Sequence, residues 1–382
     1  MKLPQGFSTA GISAGLKRSG RRDLGMIRGD APLNWAMVGT TNVVHSACVA
    51  RNRELHEAGQ PVQALIINSG NANTATGRQG EEDNRHMAEA LAGQLGLADS
   101  SAALTASTGV VGRRMPIDAI TEAVPQLEEN LSDDSSAFAV SILTTDLVFK
   151  QEETELLSGA RIVGVAKGSG MIHPNMATML AFVMTDAKVS QEQLRALWQE
   201  TAAVTFNQIT VDGDTSPNDM AFAFSSNLVD TDLAELGAGL RRVAEGLARR
   251  IARDGEGATR LVTVEVRGAR DDTEARQAAR TVAGSPLVKA AVHGNDPNWG
   301  RIIVALGHSG ARFQPEDVRI DMQGVTVYDG SPREFDGAAT SELLKQEEVL
   351  IAVDLRAGGG SGSAWGCDLT AEYVRINADY TT

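Results

Sequence analysis

The stretch that most constrains this chain is residues 157–187, LSGARIVGVAKGSGMIHPNMATMLAFVMTDA. Its first part is strand-like and breaks into glycines at Gly168 and Gly170. Its last part, Met179 to Met184, is an uninterrupted apolar run of strand length, stopped by Thr185, Asp186 and Ala187. Such a run reads as a buried strand, and the loop before it carries the turn formers Pro174 and Asn175. Thr178 is then a hydroxyl at the head of a buried strand, held by a rigid element as a catalytic group needs to be.

A threonine hydroxyl is a weak nucleophile and needs a base. Internal Thr178 has none of its own. If the Ala177–Thr178 bond is cut, Thr178 gains an α-amino group with a reference pKa of roughly 7.7–8.0, able to take the proton from its own hydroxyl. Without further context a lone Thr at this place is an ordinary β-branched strand residue.

The chain has 382 residues, room for one large or two to three ordinary domains. Its net charge of −14 argues against a nucleic-acid surface, which needs a basic patch. Aromatic residues are only 4%, so the core must be built from Ala, Val, Leu and Ile. Cys48 and Cys367 form no metal motif or disulfide framework and are expected as free buried thiols. The six histidines show no ligand spacing, so no metal is expected. The N-terminus has no apolar core of a signal peptide, and no stretch approaches the roughly 18 apolar residues of a membrane span. A cytoplasmic protein is expected, with no membrane partner.

Helical spacing is found at 42–58, 83–96, 116–131, 136–143, 190–206, 232–252, 273–283 and 340–346. Strands are expected at 65–67, 102–112, 258–269, 287–293, 301–306, 318–328 and 349–354, and at the end of 210–226, after an acidic loop. The Gly/Ser-rich 357–366 reads as a loop, and the alternation in TAEYVRIN as a partly docked strand. Asn68, Ser69, Gly70, Asn71 and Asn73 read equally as a surface loop or as a donor-rich wall of a site. Strands and helices alternate irregularly, which favours mixed sheets with helices outside: an α+β sandwich, not a doubly wound parallel sheet.

Several blocks, in order, resemble the ornithine acetyltransferase (glutamate N-acetyltransferase) family: ASTGVVGR at 106–113, TTD at 144–146, KGSGMIHPNMAT at 167–178, DGEGAT at 254–259, NDPNWGR at 295–301 and INADYTT at 376–382. The resemblance covers nearly the whole chain and implies an enzyme of arginine biosynthesis that cuts itself between Ala177 and Thr178. It implies a layered α/β/β/α core resembling N-terminal nucleophile hydrolases, spanning 1–283, and a smaller C-terminal subdomain, 284–382, that contributes to the active site. The implied reaction moves an acetyl group from N-acetylornithine to glutamate through a Thr178 acetyl ester. Thr108 and Gly109 would hold the oxyanion, the glycine leaving approach unblocked. Thr144, Lys167, Thr178, Glu256, Asn377 and Thr382 would contact substrate. Lys167 would hold an α-carboxylate or tune the Thr178 amine, and Glu256 would meet an ammonium.

No cofactor is implied; acetyl-CoA as a second donor is left open, because the family divides into monofunctional and bifunctional types. The two cleaved chains are expected to pair and form a heterotetramer. A self-processed aminopeptidase or amidase of related fold is the alternative, with water resolving the acyl-enzyme. His173 is not taken as catalytic, since the free amine already supplies a base. One departure stands out: Leu147, Val148 and Phe149 follow TTD where the family has a proline before its lysine, leaving the shape of that loop open.

Overall fold

The computed structural model describes residues 1–173 and 179–379. Ala177, Thr178 and Thr382 therefore lie outside the described residues. The first part of the chain runs β1 (Phe7–Ile12), β2 (Leu24–Gly39), α1 (Ala47–Glu57), β3 (Val62–Asn71), α2 (Gly77–Gln94), β4 (Ala103–Val110), α3 (Ile117–Glu129) and α4 (Ser136–Ser141). It continues through β5 (Lys150–Glu155), β6 (Arg161–Lys167), β7 (Leu180–Ala187), α5 (Gln191–Val204), β8 (Met220–Val229) and α6 (Leu233–Arg253).

Its strands pair in the order β4-β3-β2-β8-β7-β6-β5, with β1 added on β2. The hinge of this sheet is β2. Leu24–Arg28 pair with β3, Asn34–Gly39 pair with β8, and the register breaks between Arg28 and Leu33. Pro32 sits at that break, exposed, where its missing N–H costs no ladder bond. The two halves of the sheet share one core. Ile27, Leu65, Ile67 and Leu104 from one half meet Trp35, Val163, Val165, Phe182, Met184 and Phe222 from the other. On the outer face of the first half, Met26, Ala64 and Ile66 pack under α2 and α3. On the outer face of the second, Ile162, Ala181, Val183 and Ala221 pack under α5 and α6. The order of layers is thus α/β/β/α, as expected. β7 is buried at every position, because it has a sheet on one face and helices on the other.

The remainder runs β9 (Leu261–Ala269), α7 (Asp272–Gly284), α8 (Pro286–His293), α9 (Trp299–Gly307), β10 (Arg319–Met322), β11 (Val325–Asp329), α10 (Gly337–Leu343), β12 (Glu348–Asp354), β13 (Gly360–Cys367) and α11 (Ala371–Asp379). A second sheet, β11-β10-β12-β9-β13, packs one face on α7, α8 and α9. The expected division between 283 and 284 does not fall at the edge of this sheet, since β9 and α7 precede it.

Four expectations change here. The apolar runs 287–293 and 301–306 are the helices α8 and α9, capped by Ser285, which accepts from Val288 N, and Asn298, which accepts from Arg301 N. Short apolar runs do not separate strand from helix, but the Ser-Pro and Asn caps do. The Gly/Ser loop contains β13. Its glycines are there because α7 lies directly on the strand: a Cβ at Gly360 would stand 2.1 Å from the Asp271 carbonyl carbon, and one at Gly362 2.6 Å from Arg276 Cγ. The tail strand is instead the helix α11. Strand β5, mostly charged, gave no apolar signal. Cys48 and Cys367 are both free and buried.

The shared core is also where the few aromatics gather. Phe182 meets Phe138 edge-on at 5.2 Å and Phe222 face-on at 5.5 Å. Phe182→Ala should therefore lower stability by about 3–5 kcal/mol in urea unfolding; a loss below about 1 kcal/mol would mean that the two halves of the sheet do not depend on this contact.

Candidate active site

Strand ends from both halves of the sandwich meet at one edge. Lys167, last in β6, lies opposite Leu180, first in β7, and Leu180 lies beside Met220, first in β8. Met220 N donates to the Met179 carbonyl at 3.2 Å, so the chain re-enters the described structure at this edge, one residue after Thr178. From the other half, β3 and β4 run parallel and end together. Lys167 Nζ crosses between the halves and donates to Thr108 Oγ1 at 3.2 Å. Thr108, Gly109, Thr144, Lys167, Glu256 and Asn377, scattered along the sequence, all line one cleft of about 100 Å³.

The contact from Lys167 occupies Thr108 Oγ1 as an acceptor, which leaves the hydroxyl hydrogen to donate to something else. Gly109 has φ +131°, and a Cβ there would stand 2.4 Å from the Gly70 carbonyl carbon and 2.6 Å from Asn71 N. Its glycine is needed for close packing on β3, not for clearance on the cleft side as the sequence reading had it. A buried amide network braces this pair from behind. Ser107 Oγ donates to Asn68 Oδ1 at 2.7 Å, and Asn218 Nδ2 donates to the Ser107 and Ala72 carbonyls at 2.8 and 2.6 Å. Asn68 Nδ2 reaches the Asn71 carbonyl at 2.9 Å, and Asn71 Nδ2 those of Arg113 and Arg114 at 3.1 and 3.0 Å. The block from Asn68 to Asn73 is neither a surface loop nor a substrate wall. Its buried amides are spent on the main chain that shapes the site.

Beneath the cleft lies a buried ion cluster that sequence reasoning missed. Lys150 Nζ donates to Asp146 Oδ1 and to Asp254 Oδ2, both at 2.6 Å, and the lysine side chain is fully buried. The carboxylates have further donors: Asp146 takes the N–H of Thr144 at 3.1 Å and of Gly168 at 2.7 Å, and Asp254 that of Leu147 at 3.2 Å. Burial alone would raise the Asp146 carboxyl; the Lys150 and Lys167 charges outweigh it and hold the group at about 2. The loop after TTD is thus fixed at both ends by ions, with Leu147, Val148 and Phe149 exposed between them, and needs no proline. The available signal was a lysine four residues after Asp146.

Glu256 enters the cleft beside Gly170. A Cβ at Gly170 would lie 2.4 Å from the Glu256 carboxyl carbon, so the carboxylate rests directly against this glycine. Glu256 N donates to the Ser169 carbonyl at 2.9 Å, and Asn377 Nδ2 to Glu256 Oε2 at 2.9 Å. Burial pushes the Lys167 ammonium below its ordinary range, against the opposing pull of Asp146, Asp219 and Glu256. A second amine stands close by. Lys17 donates to the Leu143 carbonyl at 2.7 Å, next to Thr144, and burial brings it down to about 8. His173 Nδ1 is 3.3 Å from Thr210 Oγ1, and burial lowers its pKa.

The ion cluster makes stability depend on acid. An Asp146 carboxyl near 2, against an ordinary 3.8, stabilises the fold above the unfolded value and loses that contribution as pH falls through the folded one. The difference is on the order of 2 kcal/mol. Urea midpoints of the wild type and Asp146→Asn should differ above about pH 4 and converge toward about pH 2. A gap that is constant across that window would show that Asp146 is not ionised in the fold.

The ArgJ family's sequence profile matches residues 8–382. The chain is 51% identical over 381 residues to the arginine biosynthesis bifunctional protein ArgJ of Deinococcus radiodurans, covering 100% of this chain and 98% of that protein. It is 51% identical over 383 residues to the protein of the same name from Thermus thermophilus, covering 100% of both. A crystal structure of the arginine biosynthesis bifunctional protein ArgJ from Bacillus halodurans superposes with a TM-score of 0.51 at 43% identity, covering 52% of this chain and 98% of that one. With matches that run from end to end, the chain belongs to the ArgJ family.

Proposed function

We propose that this protein is a self-cleaving acetyltransferase of arginine biosynthesis, which moves the acetyl group of N-acetylornithine to glutamate. The observation that carries this reading is the convergence of Thr108, Gly109, Thr144, Lys167, Glu256 and Asn377 on one cleft, at the edge where the chain resumes at Met179. In this reading Thr178 attacks the acetyl carbonyl and its freed amine takes the hydroxyl proton. The oxyanion is held by the Thr108 hydroxyl, whose own acceptor lone pair is engaged by Lys167, and by the Gly109 N–H. Ornithine leaves, and the glutamate amine takes the acetyl group from the ester in a ping-pong cycle.

Lys167, Asn377 and Thr382 would recognise the amino-acid head common to both substrates. Glu256, one of whose oxygens accepts from Asn377, is assigned to the α-ammonium present in glutamate but acetylated in the donor.

The crystal chain from Bacillus halodurans matches about half of this chain while being covered almost completely. That is the size expected of one product of a cut at 177–178. The two products would stay together, as αβ pairs forming a heterotetramer, and act in the cytoplasm. Because the relatives from Deinococcus and Thermus are named bifunctional, acetyl-CoA is included as a second acetyl donor. No tightly bound cofactor enters the cycle.

Mass spectrometry of purified protein should give two chains, 1–177 and 178–382, and Thr178→Ala should stay whole and inactive. Active wild-type protein found as a single chain would sink the mechanism. Thr108→Ala removes one oxyanion donor and should lower kcat by about 10²–10³-fold with little change in substrate affinity. Full turnover by Thr108→Ala would take it out of the oxyanion site. Free acetate as the product, in place of N-acetylglutamate, would point to a hydrolase.

A further inference from the structure

Met171, Ile172 and His173 are the last described residues before the expected cut, and their path is set by Asp212. Asp212 Oδ2 accepts the Met171 N–H at 2.6 Å, and Oδ1 accepts the Ile172 N–H at 2.8 Å. The Ile172 carbonyl accepts in return from Val211 N at 2.8 Å and from Asp212 N at 3.3 Å. Met171 is held at φ +58°, the left-handed region that costs a residue with a side chain free energy. Such a conformation persists only where its surroundings impose it. Here two successive N–H groups closing on one carboxylate do so.

Asp212 is backed from two directions. From below, the buried Lys289 Nζ donates to the Val211 carbonyl at 2.6 Å. On the other side, Tyr373 of α11 faces the carboxylate. Burial, together with the charges of Asp212, Glu256 and Asp214, pushes the Tyr373 phenol above its ordinary range, so it keeps its proton and remains a donor. Helix α11 itself is seated on the turn after α6. Thr370 Oγ1 donates to the Gly257 carbonyl at 2.8 Å, and a Cβ at Gly257 would stand 2.5 Å from Tyr373 N.

We propose that Asp212 is a positioning residue for self-cleavage, holding the main chain at Met171 and Ile172 upstream of the cut. This rests on the self-cleavage proposed above. In that step Thr178 Oγ bonds to the Ala177 carbonyl carbon, the C–N bond breaks, and the hydroxyl proton passes to the nitrogen. Water then hydrolyses the ester, leaving the Ala177 carboxylate and a free Thr178. The attack goes through a small ring, and its rate follows the fraction of time the peptide is held in the reactive geometry. A fixed left-handed turn at Met171 anchors the chain on the upstream side of the cut.

The test is Asp212→Asn in the full chain. The amide keeps the shape but sets an N–H donor against a main-chain N–H. Conversion of whole chain to fragments, followed on denaturing gels, should slow by at least about ten-fold, the size expected for losing a charged acceptor. Tyr373→Phe should slow it less. Asp212→Glu should restore part of the rate. Fragments that do accumulate in Asp212→Asn should turn over with the kcat and KM of the wild type. Cleavage at the wild-type rate in Asp212→Asn overturns the proposal. So does a fall in turnover of the cut enzyme as large as the fall in cleavage, which would mark a general structural role. A wild-type chain that stays whole overturns the self-cleavage reading and this proposal together.

Discussion

The Lys150 ammonium between Asp146 and Asp254 is the contact on which the candidate site depends. It is fully buried, and among the described residues its charge is met by those two carboxylates and the Val148 carbonyl. Removing one partner of such a cluster leaves a buried charge unmatched and costs about 3–5 kcal/mol. What the cluster secures is local geometry. Through Asp146 it fixes the main chain at Thr144 and Gly168, on either side of the cleft, and through Asp254 it fixes the end of α6, two residues before Glu256. Two residues that line the cleft, Thr144 and Glu256, take their places from one lysine that does not reach it.

The fold supports this by bringing strand ends together from two layers. β2 bends at Pro32 and belongs to both halves of the sheet, which brings Thr108 on β4 within reach of Lys167 on β6. The low aromatic content is compatible with a tight core because the rings are concentrated, not spread. Phe138, Phe182, Phe222 and Phe224 form one chain of ring contacts between the two halves, and Gly164 and Gly239, where a Cβ would meet the facing side chains, let α6 lie close on β6.

Much of this was legible in the sequence. β7 announced itself as an unbroken apolar run, because a strand covered on both faces has no polar face to alternate with. The residues of the cleft came from motif resemblance, and nothing in local spacing groups Thr108 with Asn377. What stayed hidden was long-range or disguised by glycine. β13 looks like a flexible loop because α7 leaves its strand no room for side chains. α8 and α9 look like strands to a count of apolar residues, and only their caps say otherwise. Lys150 carried no sign of burial, since its partner Asp254 lies far along the chain. The amides of Asn68 and Asn71 could be read as facing substrate or protein, and only the main-chain carbonyls that accept from them decide it.

The pairing of β6 with β7 has a consequence for what a cut between 177 and 178 would produce. Ile162–Lys167 would then belong to one polypeptide and Leu180–Thr185, hydrogen-bonded to it, to another. The same holds for Asn34–Gly39 and Met220–Ser225 at the middle of the sheet. The seam between the pieces would run through the hydrophobic interior, so neither could leave without unravelling the other. Such a nick would be irreversible chemically yet silent mechanically: it would free two chain ends and leave the particle to unfold as a single cooperative body.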